Sequence, residues 1–219
     1  MYIQLNSQII CYERTGERGT PVILIHGNRE DHHIFDKLVE TMSKDHVVYA
    51  MDSRGHGESA TPKSYHYDDM ASDVINLIDA LDIVKPYIVG YSDGAIVALL
   101  VAMRASRLLS GIVCCGANLT PAGFHHRDLR EIKKEYKRTE DPRVLMMLQE
   151  PNIDARDLSA ITVPALIVAG EKDCIKEKET QKIAASINNS ELLIISGQTH
   201  SSYIENTDVL YKFIETFTV

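Results

Sequence analysis

The chain has too little positive charge for one large class of proteins. It carries 23 basic and 31 acidic residues, which gives a formal net charge of −8. A nucleic-acid-binding protein needs a positive face for its phosphate contacts, so the composition disfavours that class. The most basic stretch, residues 127–138, also contains three acidic residues. That interleaving is typical of a solvated helix face, and we expect no nucleic-acid partner.

Long hydrophobic runs and an obvious targeting segment are also missing. No apolar run approaches the roughly 20 residues of a membrane span, and the N-terminus shows no basic region followed by a long apolar segment. The four cysteines have no metal-ligand spacing, and neighbours in a strand such as Cys114 and Cys115 point to opposite faces. We therefore expect reduced thiols, a cytoplasmic protein, no membrane partner and no metal.

Apolar segments alternate with helical patterns along most of the chain. With 219 residues, 44% of them hydrophobic, the chain has the size of one domain, residues 1–219. The apolar strands are continuous rather than alternating, which favours an α/β fold with a mostly parallel sheet and helices on both faces. We predict a hairpin turning at Asn6 and Ser7, strands at 22–25, 47–51, 87–89, 111–115, 163–170 and 191–195, and helices at 33–43, 67–81, 95–102 and 203–217.

The alternation is interrupted between about residues 117 and 160. Charged helical segments at 128–137 and 142–149 replace the strand–helix pattern there. Because this region follows a strand end, and ligands bind at the carboxyl ends of parallel strands, it predicts a short helical lid over a ligand site. Its apolar side chains either line a substrate pocket or form the core of the lid: Leu119, Phe124, Leu129, Ile132, Tyr136, Met146 and Met147.

Residues 90–94, Gly-Tyr-Ser-Asp-Gly, form the most informative motif. An apolar strand precedes them and a helix of small residues follows. A serine on such a tight strand-to-helix turn presents its hydroxyl outward, and the flanking glycines allow neighbouring backbone to approach. The N-terminal end of the following helix favours negative charge. Ser92 is therefore a candidate nucleophile.

A serine nucleophile needs a base, and the base works best when a third group orients it. Asp173 lies just past the strand at 163–170, and His200 follows the strand at 191–195. Because the carboxyl ends of parallel strands share one edge of a sheet, these side chains are expected to meet Ser92 there. Asp173 is favoured as the orienting acid, and Glu171 is the alternative.

Two further motifs, each after an apolar strand, agree with this order. His26-Gly27-Asn28 follows the strand at 22–25, and residues 52–59, Asp-Ser-Arg-Gly-His-Gly-Glu-Ser, follow the strand at 47–51. With these four motifs in this order, nearly the whole chain resembles the alpha/beta-hydrolase family. The resemblance implies an alpha/beta-hydrolase fold with a short lid, and a structural role for the 52–59 turn.

The same resemblance implies the chemistry. Ser92 would attack a carbonyl, His200 would act as the base, and the backbone N–H groups of Asn28 and Asp93 would hold the oxyanion. The Asp93 side chain itself is expected to be a carboxylate favoured by the helix dipole. Four residues are candidates for contact with the small-molecule substrate: Arg29, Tyr91, Leu119 and Tyr136. For Arg29, a solvated loop position is the alternative.

The resulting expectation is a cofactor-independent serine hydrolase that cleaves a small carboxylic ester through an acyl-enzyme. Other reactions use the same three side chains, so thioester hydrolysis, carbon–carbon bond hydrolysis, perhydrolysis and N-terminal peptide cleavage remain open. A different class of function also remains open, namely a hydrolase-like sensor that binds a small molecule.

Overall fold

A computed structural model of the protein describes residues 1–6 and 8–218. Eight strands form one sheet in the order β1-β2-β4-β3-β5-β6-β7-β8, in which only the β1–β2 and β2–β4 pairs are antiparallel. This confirms the predicted mostly parallel sheet. The strands are β1 Tyr2–Leu5, β2 Gln8–Thr15, β3 Thr20–Ile25, β4 His46–Met51, β5 Tyr87–Tyr91, β6 Gly111–Cys115, β7 Ala165–Lys172 and β8 Ser190–Thr199.

Helices cover both faces of the sheet. The α-helices among the described residues are α1 Asp36–Met42, α2 Tyr67–Ala80, α3 Asp93–Ala105, α4 His126–Thr139, α5 Pro142–Gln149, α6 Glu177–Ser186 and α7 Tyr211–Ile214. The core lies in two layers, one with α2, α3 and α6 and the other with α1 and α7. The two layers explain why β3, β5 and β6 are apolar at nearly every position, since both of their faces are buried.

The C-terminal region differs from its prediction. A helix was predicted at 203–217, but the structure has turns up to residue 206 and only the four-residue α7. Asn206 adopts a left-handed conformation with φ 51, and its N–H donates to Ile34 O at 3.1 Å. The predicted strand at 191–195 is also longer, because β8 continues past a bulge to pair Thr199 with Lys172.

Smaller differences occur near the N-terminus. The predicted hairpin is present as β1 and β2, but Ser7 of its turn lies outside the described residues. The helix predicted at 33–43 is a 3₁₀ turn, His32–Phe35, followed by α1. Within the described residues, no helix combines the length and the apolar character that a bilayer crossing requires.

The segment between β6 and β7 divides into two parts. Helix α4 buries none of its residues, and α5 buries Val144 and Met146. The later 3₁₀ helix, Ala155–Ala160, packs against α3 and α6 with Leu158 fully buried. Helices α4 and α5 are thus more exposed than the later 3₁₀ helix, and a lid in this segment stays a prediction.

Candidate active site

Ser92 occupies the sharp turn between β5 and α3. Its backbone has φ 53 and ψ −115, a conformation that costs energy for a residue with a side chain. The turn is possible because the neighbouring backbone is very close: a Cβ on Gly90 would lie 2.1 Å from Gly94 O, and one on Gly94 would lie 2.1 Å from Ile25 O. The flanking glycines therefore allow the turn, and the strained conformation holds Ser92 at the edge of a cavity.

The three side chains named from the sequence meet at this edge. His200 Nε2 lies 3.0 Å from Ser92 Oγ, and His200 Nδ1 lies 2.7 Å from Asp173 Oδ1. The Asp173 carboxylate also accepts the N–H of Ile175 at 2.9 Å, which fixes its orientation. The side chains thus form a continuous hydroxyl–imidazole–carboxylate chain that brings together the ends of β5, β7 and β8.

The electrostatics of this chain follow from its burial and its hydrogen bonds. Burial disfavours the charged imidazolium, but the hydrogen bond to Asp173 and its negative charge, together with the contact to Cys174, outweigh burial, so the pKa of His200 is raised. Burial alone would raise the pKa of Asp173, whereas the hydrogen bond and charge of His200, together with the N–H groups of Ile175 and Gly170, leave it below its ordinary value. The Tyr91 ring packs against the imidazole with centroids 5.1 Å apart. The carboxylate thus favours the imidazolium, the state in which a base has accepted a proton.

The backbone N–H groups expected to hold an oxyanion are those of Asn28 and Asp93. Asp93 is the first residue of α3, so its N–H has no partner within the helix. Across the described part of the chain, the N–H of Asn28 has no hydrogen-bond partner either. The side chains of these two residues are joined, because Asn28 Nδ2 donates to Asp93 Oδ2 at 2.8 Å. This bond couples the loop after β3 to the start of α3.

The Asp93 side chain is more constrained than the helix-dipole expectation suggests. It is only 5% exposed, and Tyr67 Oη donates to its Oδ1 at 2.8 Å. Burial raises the pKa of Asp93 to about 6, although the hydrogen bonds from Asn28 and Tyr67 lower it. The carboxyl group is therefore a buried acceptor that links α2, α3 and the loop after β3. No sequence motif marks Tyr67 as its partner.

Buried polar contacts support the loop after β3 from below. His26 Nε2 accepts the N–H of Ser53 at 3.0 Å, and burial lowers the pKa of this histidine. Asp52 Oδ1 accepts from the backbone and the ring of His32, at 2.9 and 2.7 Å, and its Oδ2 accepts the N–H of Glu58 at 2.8 Å. These contacts hold the loop after β3 in place, which is the structural role expected for the 52–59 turn.

A cavity of about 330 Å³ opens beside Ser92, within the range of small-molecule sites. One wall is the loop after β3, and the opposite wall comes from α4 and α5. Of the four residues expected to contact substrate, Arg29 and Tyr91 line it. The lining residues are Asn28, Arg29, Glu30, Tyr91, Ser92, Phe124, Asp128, Glu131, Ile132, Glu135, Val144, Met147, Cys174 and His200.

The other two candidates lie elsewhere. Leu119 is fully buried in the core layer of α2 and α3. Tyr136 is half-buried on α4 but is not among the lining residues. The expectation that these two contact substrate is therefore corrected. Arg29 lines the cavity and ion-pairs with Glu135 of α4 at 2.7 Å, with its side chain 38% exposed, so both positions expected for it stay open.

One lining residue, Glu30, was not among the four expected to contact substrate. Glu30 is half-buried and accepts the N–H of Gly27 at 2.9 Å. Cys174 also lines the cavity. Its Sγ atom, a carboxylate oxygen of Asp173 and a ring nitrogen of His200 lie within 4.8 Å of one another, a spacing at which three side chains can bind a metal ion. Asp173 and His200 are hydrogen-bonded to each other, and the expectation that no metal binds stays a prediction.

Comparison with known proteins identifies the family of this chain. A sequence profile described as alpha/beta hydrolase fold matches residues 20–145, more than half of the chain. The chain therefore belongs to the alpha/beta-hydrolase fold family, a family of hydrolase enzymes, as its motifs predict.

Individual relatives differ in activity. The human serine hydrolase BPHL is 26% identical over 98% of this chain and 84% of its own length. An enol-lactonase from Burkholderia xenovorans LB400 superposes with a TM-score of 0.82 at 20% identity, over 99% of both chains. A meta-cleavage product hydrolase from Pseudomonas fluorescens IP01 superposes with a TM-score of 0.82 at 23% identity, over 99% of this chain and 96% of its own. At these identities, the structural likeness establishes the fold alone.

Proposed function

We propose that this single-domain chain is a cofactor-independent serine hydrolase that cleaves a small carboxylic ester through an acyl-enzyme. One observation carries the proposal: Ser92 Oγ lies 3.0 Å from His200 Nε2 while Asp173 Oδ1 lies 2.7 Å from His200 Nδ1. These distances suit transfer of the serine proton to the imidazole, with the carboxylate stabilising the resulting cation.

The reaction follows from the contacts. Ser92 Oγ attacks the carbonyl carbon as its proton passes to His200 Nε2, and the carbonyl oxygen becomes an oxyanion held by the N–H groups of Asn28 and Asp93. Collapse of this tetrahedral adduct breaks the ester bond, and His200 protonates the departing alcohol. Water then attacks the acyl group with His200 again as base, which releases the acid and restores Ser92.

The donors that hold the oxyanion contribute much of the expected rate. Removing one donor typically costs about 10²–10³ in kcat. The Asn28–Asp93 side-chain bond supports the proposal because it fixes both donors relative to each other. A small ester is favoured because the cavity holds about 330 Å³ and α4 and α5 form a short cover. Four free cysteines fit a reducing compartment, and we infer a cytoplasmic location from them.

The direct test is turnover of short-chain p-nitrophenyl esters by the wild-type protein and by Ser92→Ala. We expect steady hydrolysis that disappears in the variant. A fluorophosphonate probe should add to the wild type at Ser92, as read by peptide mass spectrometry. Ser64→Ala is the matched control, since this exposed serine lies outside the site and its loss should change neither result. Binding of esters without turnover, unchanged in Ser92→Ala, would instead indicate a sensor.

A substrate panel separates the alternative hydrolytic reactions. Esters, thioesters, N-terminal peptide amides and diketone-like compounds of similar acyl size should be compared by kcat/KM. The proposal expects the ester to be preferred. A higher value for another member would move the assignment to that reaction, with the same three side chains responsible.

A further inference from the structure

The Glu30 carboxyl group lies beside the proposed nucleophile. Its Oε2 accepts the N–H of Gly27, and a Cβ built on Gly27 would lie 2.7 Å from Oε2 and 3.1 Å from Ser92 Cβ. The carboxyl group and the Ser92 side chain therefore pack against the same short stretch of backbone. Glu30 Oε1 has no hydrogen-bond partner in the described part of the chain, and it is not enclosed. Because Glu30 lines the cavity, this second oxygen is open to a bound ligand.

Among the described residues, no lysine or arginine forms an ion pair with Glu30. Arg29, the adjacent basic residue, is engaged by Glu135. The groups that act on the Glu30 carboxyl are His200, which favours its ionisation, and Glu205 and Asp93, which oppose it, while the Tyr91 ring packs nearby. Burial raises the pKa of Glu30 to about 7. The group therefore changes charge near neutral pH, and a ligand that brings positive charge would favour its ionised form.

The side of the cavity formed by α4 carries further negative charge. Asp128, Glu131 and Glu135 of α4 also line it. Glu135 pairs with Arg29, and Glu131 pairs with Lys134 at 2.8 Å. Glu30 and Asp128 are therefore the lining carboxylates that have no cationic partner in the described residues. This wall repels an anionic substrate and attracts a cationic one.

We infer that Glu30 is a specificity-determining residue that binds a protonated amine carried by the ester substrate. The inference rests on the proposed function and narrows its substrate class to amine-bearing esters. The free Oε1 accepts a hydrogen bond from the ammonium group, and Asp128 adds attraction from the opposite wall. A charge-assisted hydrogen bond of this kind contributes about 1.5–3 kcal/mol, which corresponds to a preference of about tenfold or more.

The test uses two pairs of esters that differ only in charge. On the acyl side, p-nitrophenyl 6-aminohexanoate is compared with p-nitrophenyl heptanoate. On the alcohol side, 2-(dimethylamino)ethyl acetate is compared with 3-methylbutyl acetate. The quantity measured is the kcat/KM ratio of the cationic to the neutral ester, so intrinsic reactivity cancels between enzyme variants. In Glu30→Gln, which keeps the bond to Gly27, this ratio should fall about tenfold for at least one pair.

Control variants separate local from general charge effects. Glu140→Gln removes an equal charge from the end of α4, outside the cavity, and should leave both ratios within about twofold of the wild type. Unchanged ratios in Glu30→Gln for both pairs would overturn the inference, even with neutral esters hydrolysed normally. If neutral esters are not hydrolysed at all, the proposed function fails instead. The Glu30 inference is then judged by calorimetric binding of the four esters to Ser92→Ala.

A measurement on the wild type avoids reliance on the folding of a variant. The 6-aminohexanoate amine stays protonated up to about pH 10, so only the protein titrates between pH 6 and 8. Titration of His200 affects both acyl esters equally and cancels in the ratio. If the acyl side of the substrate carries the amine, the ratio of kcat/KM for the cationic acyl ester to that for the neutral one should rise through about pH 7 as Glu30 ionises. A flat ratio for this pair, together with unchanged alcohol-side ratios in Glu30→Gln, would contradict the inference.

Discussion

Gly116 lies directly against the imidazole of His200. A Cβ built on Gly116 would fall 2.6 Å from His200 Cε1 and 2.8 Å from its Nδ1. Gly116 has φ 70, and its N–H donates to Val168 O at 2.8 Å, which fixes its position beside β7. The imidazole therefore has its orientation set from two directions: Asp173 through a hydrogen bond and Gly116 through contact.

We expect Gly116→Ala to displace the His200 ring and lower kcat by about 10²-fold or more, since small misplacements of reacting groups are costly. The left-handed backbone adds a stability cost of about 1–2 kcal/mol. Gly197→Ala is the matched control, because Gly197 has φ 76 but no atom within 4 Å of its Cβ position. The control should lose similar stability in urea unfolding and keep its kcat. Equal kcat in the two variants would contradict the expectation.

Replacement of Asp173 by Asn should keep the fold and lower kcat by about 10⁴-fold. The carboxylate holds the pKa of His200 up, so its removal lowers that pKa. Only the neutral imidazole is a base, so the acid limb of kcat/KM should move to lower pH in Asp173→Asn. Rate profiles from pH 4 to 9 measure both effects.

Glu171→Gln is the control for the acid assignment. Glu171 is exposed and accepts from Gly197 N at 2.6 Å and Ser196 Oγ at 3.1 Å, away from the imidazole. Its replacement should leave kcat within about twofold of the wild type, as is usual for a surface change. A large loss of kcat in Glu171→Gln, with near-normal activity in Asp173→Asn, would transfer the orienting role to Glu171.

Tyr67→Phe should make stability more sensitive to pH. Asp93 already has a pKa raised to about 6, so its ionisation costs stability as pH rises from about 4, its ordinary value, through 6. Loss of the Tyr67 hydroxyl raises that pKa further. The variant should therefore lose about 1–3 kcal/mol near pH 7.5 and less near pH 4.5, measured by urea unfolding. Tyr65→Phe, whose hydroxyl has no hydrogen bond among the described residues, should show no such difference.

The Arg29–Glu135 ion pair should couple the loop after β3 to α4. Both side chains are about one-third exposed, at 38% and 30%, so the coupling free energy is expected to be about 0.2–1 kcal/mol. A double-mutant cycle of Arg29→Ala and Glu135→Gln, read by thermal unfolding, measures it. The coupling should vanish in high salt. A parallel cycle of Arg29→Ala with Glu131→Gln, which pairs with Lys134, should be additive.

Much of the fold could be predicted because each local pattern has one dominant cause. Strands β3, β5 and β6 read as continuous apolar runs since both of their faces are buried. The helix predicted at 67–81 is α2 almost to the residue, because its apolar positions recur at helical spacing. The prediction of a helix at 203–217 was wrong. Tyr203 and Ile204 are fully buried in turns, and this burial depends on contacts with distant parts of the chain.

The sequence by itself determined the strand–helix order and the residue types at the strand ends, because a parallel sheet and a serine nucleophile each require particular residues at particular spacings. Only the tertiary structure decided what surrounds Ser92. It buried Leu119 away from the cavity, linked Tyr67 to Asp93, and brought Glu30 to the cavity wall without an arginine or lysine ion-pair partner among the described residues. Burial and charge at a site depend on side chains from distant parts of the chain, and local sequence patterns do not contain those contacts.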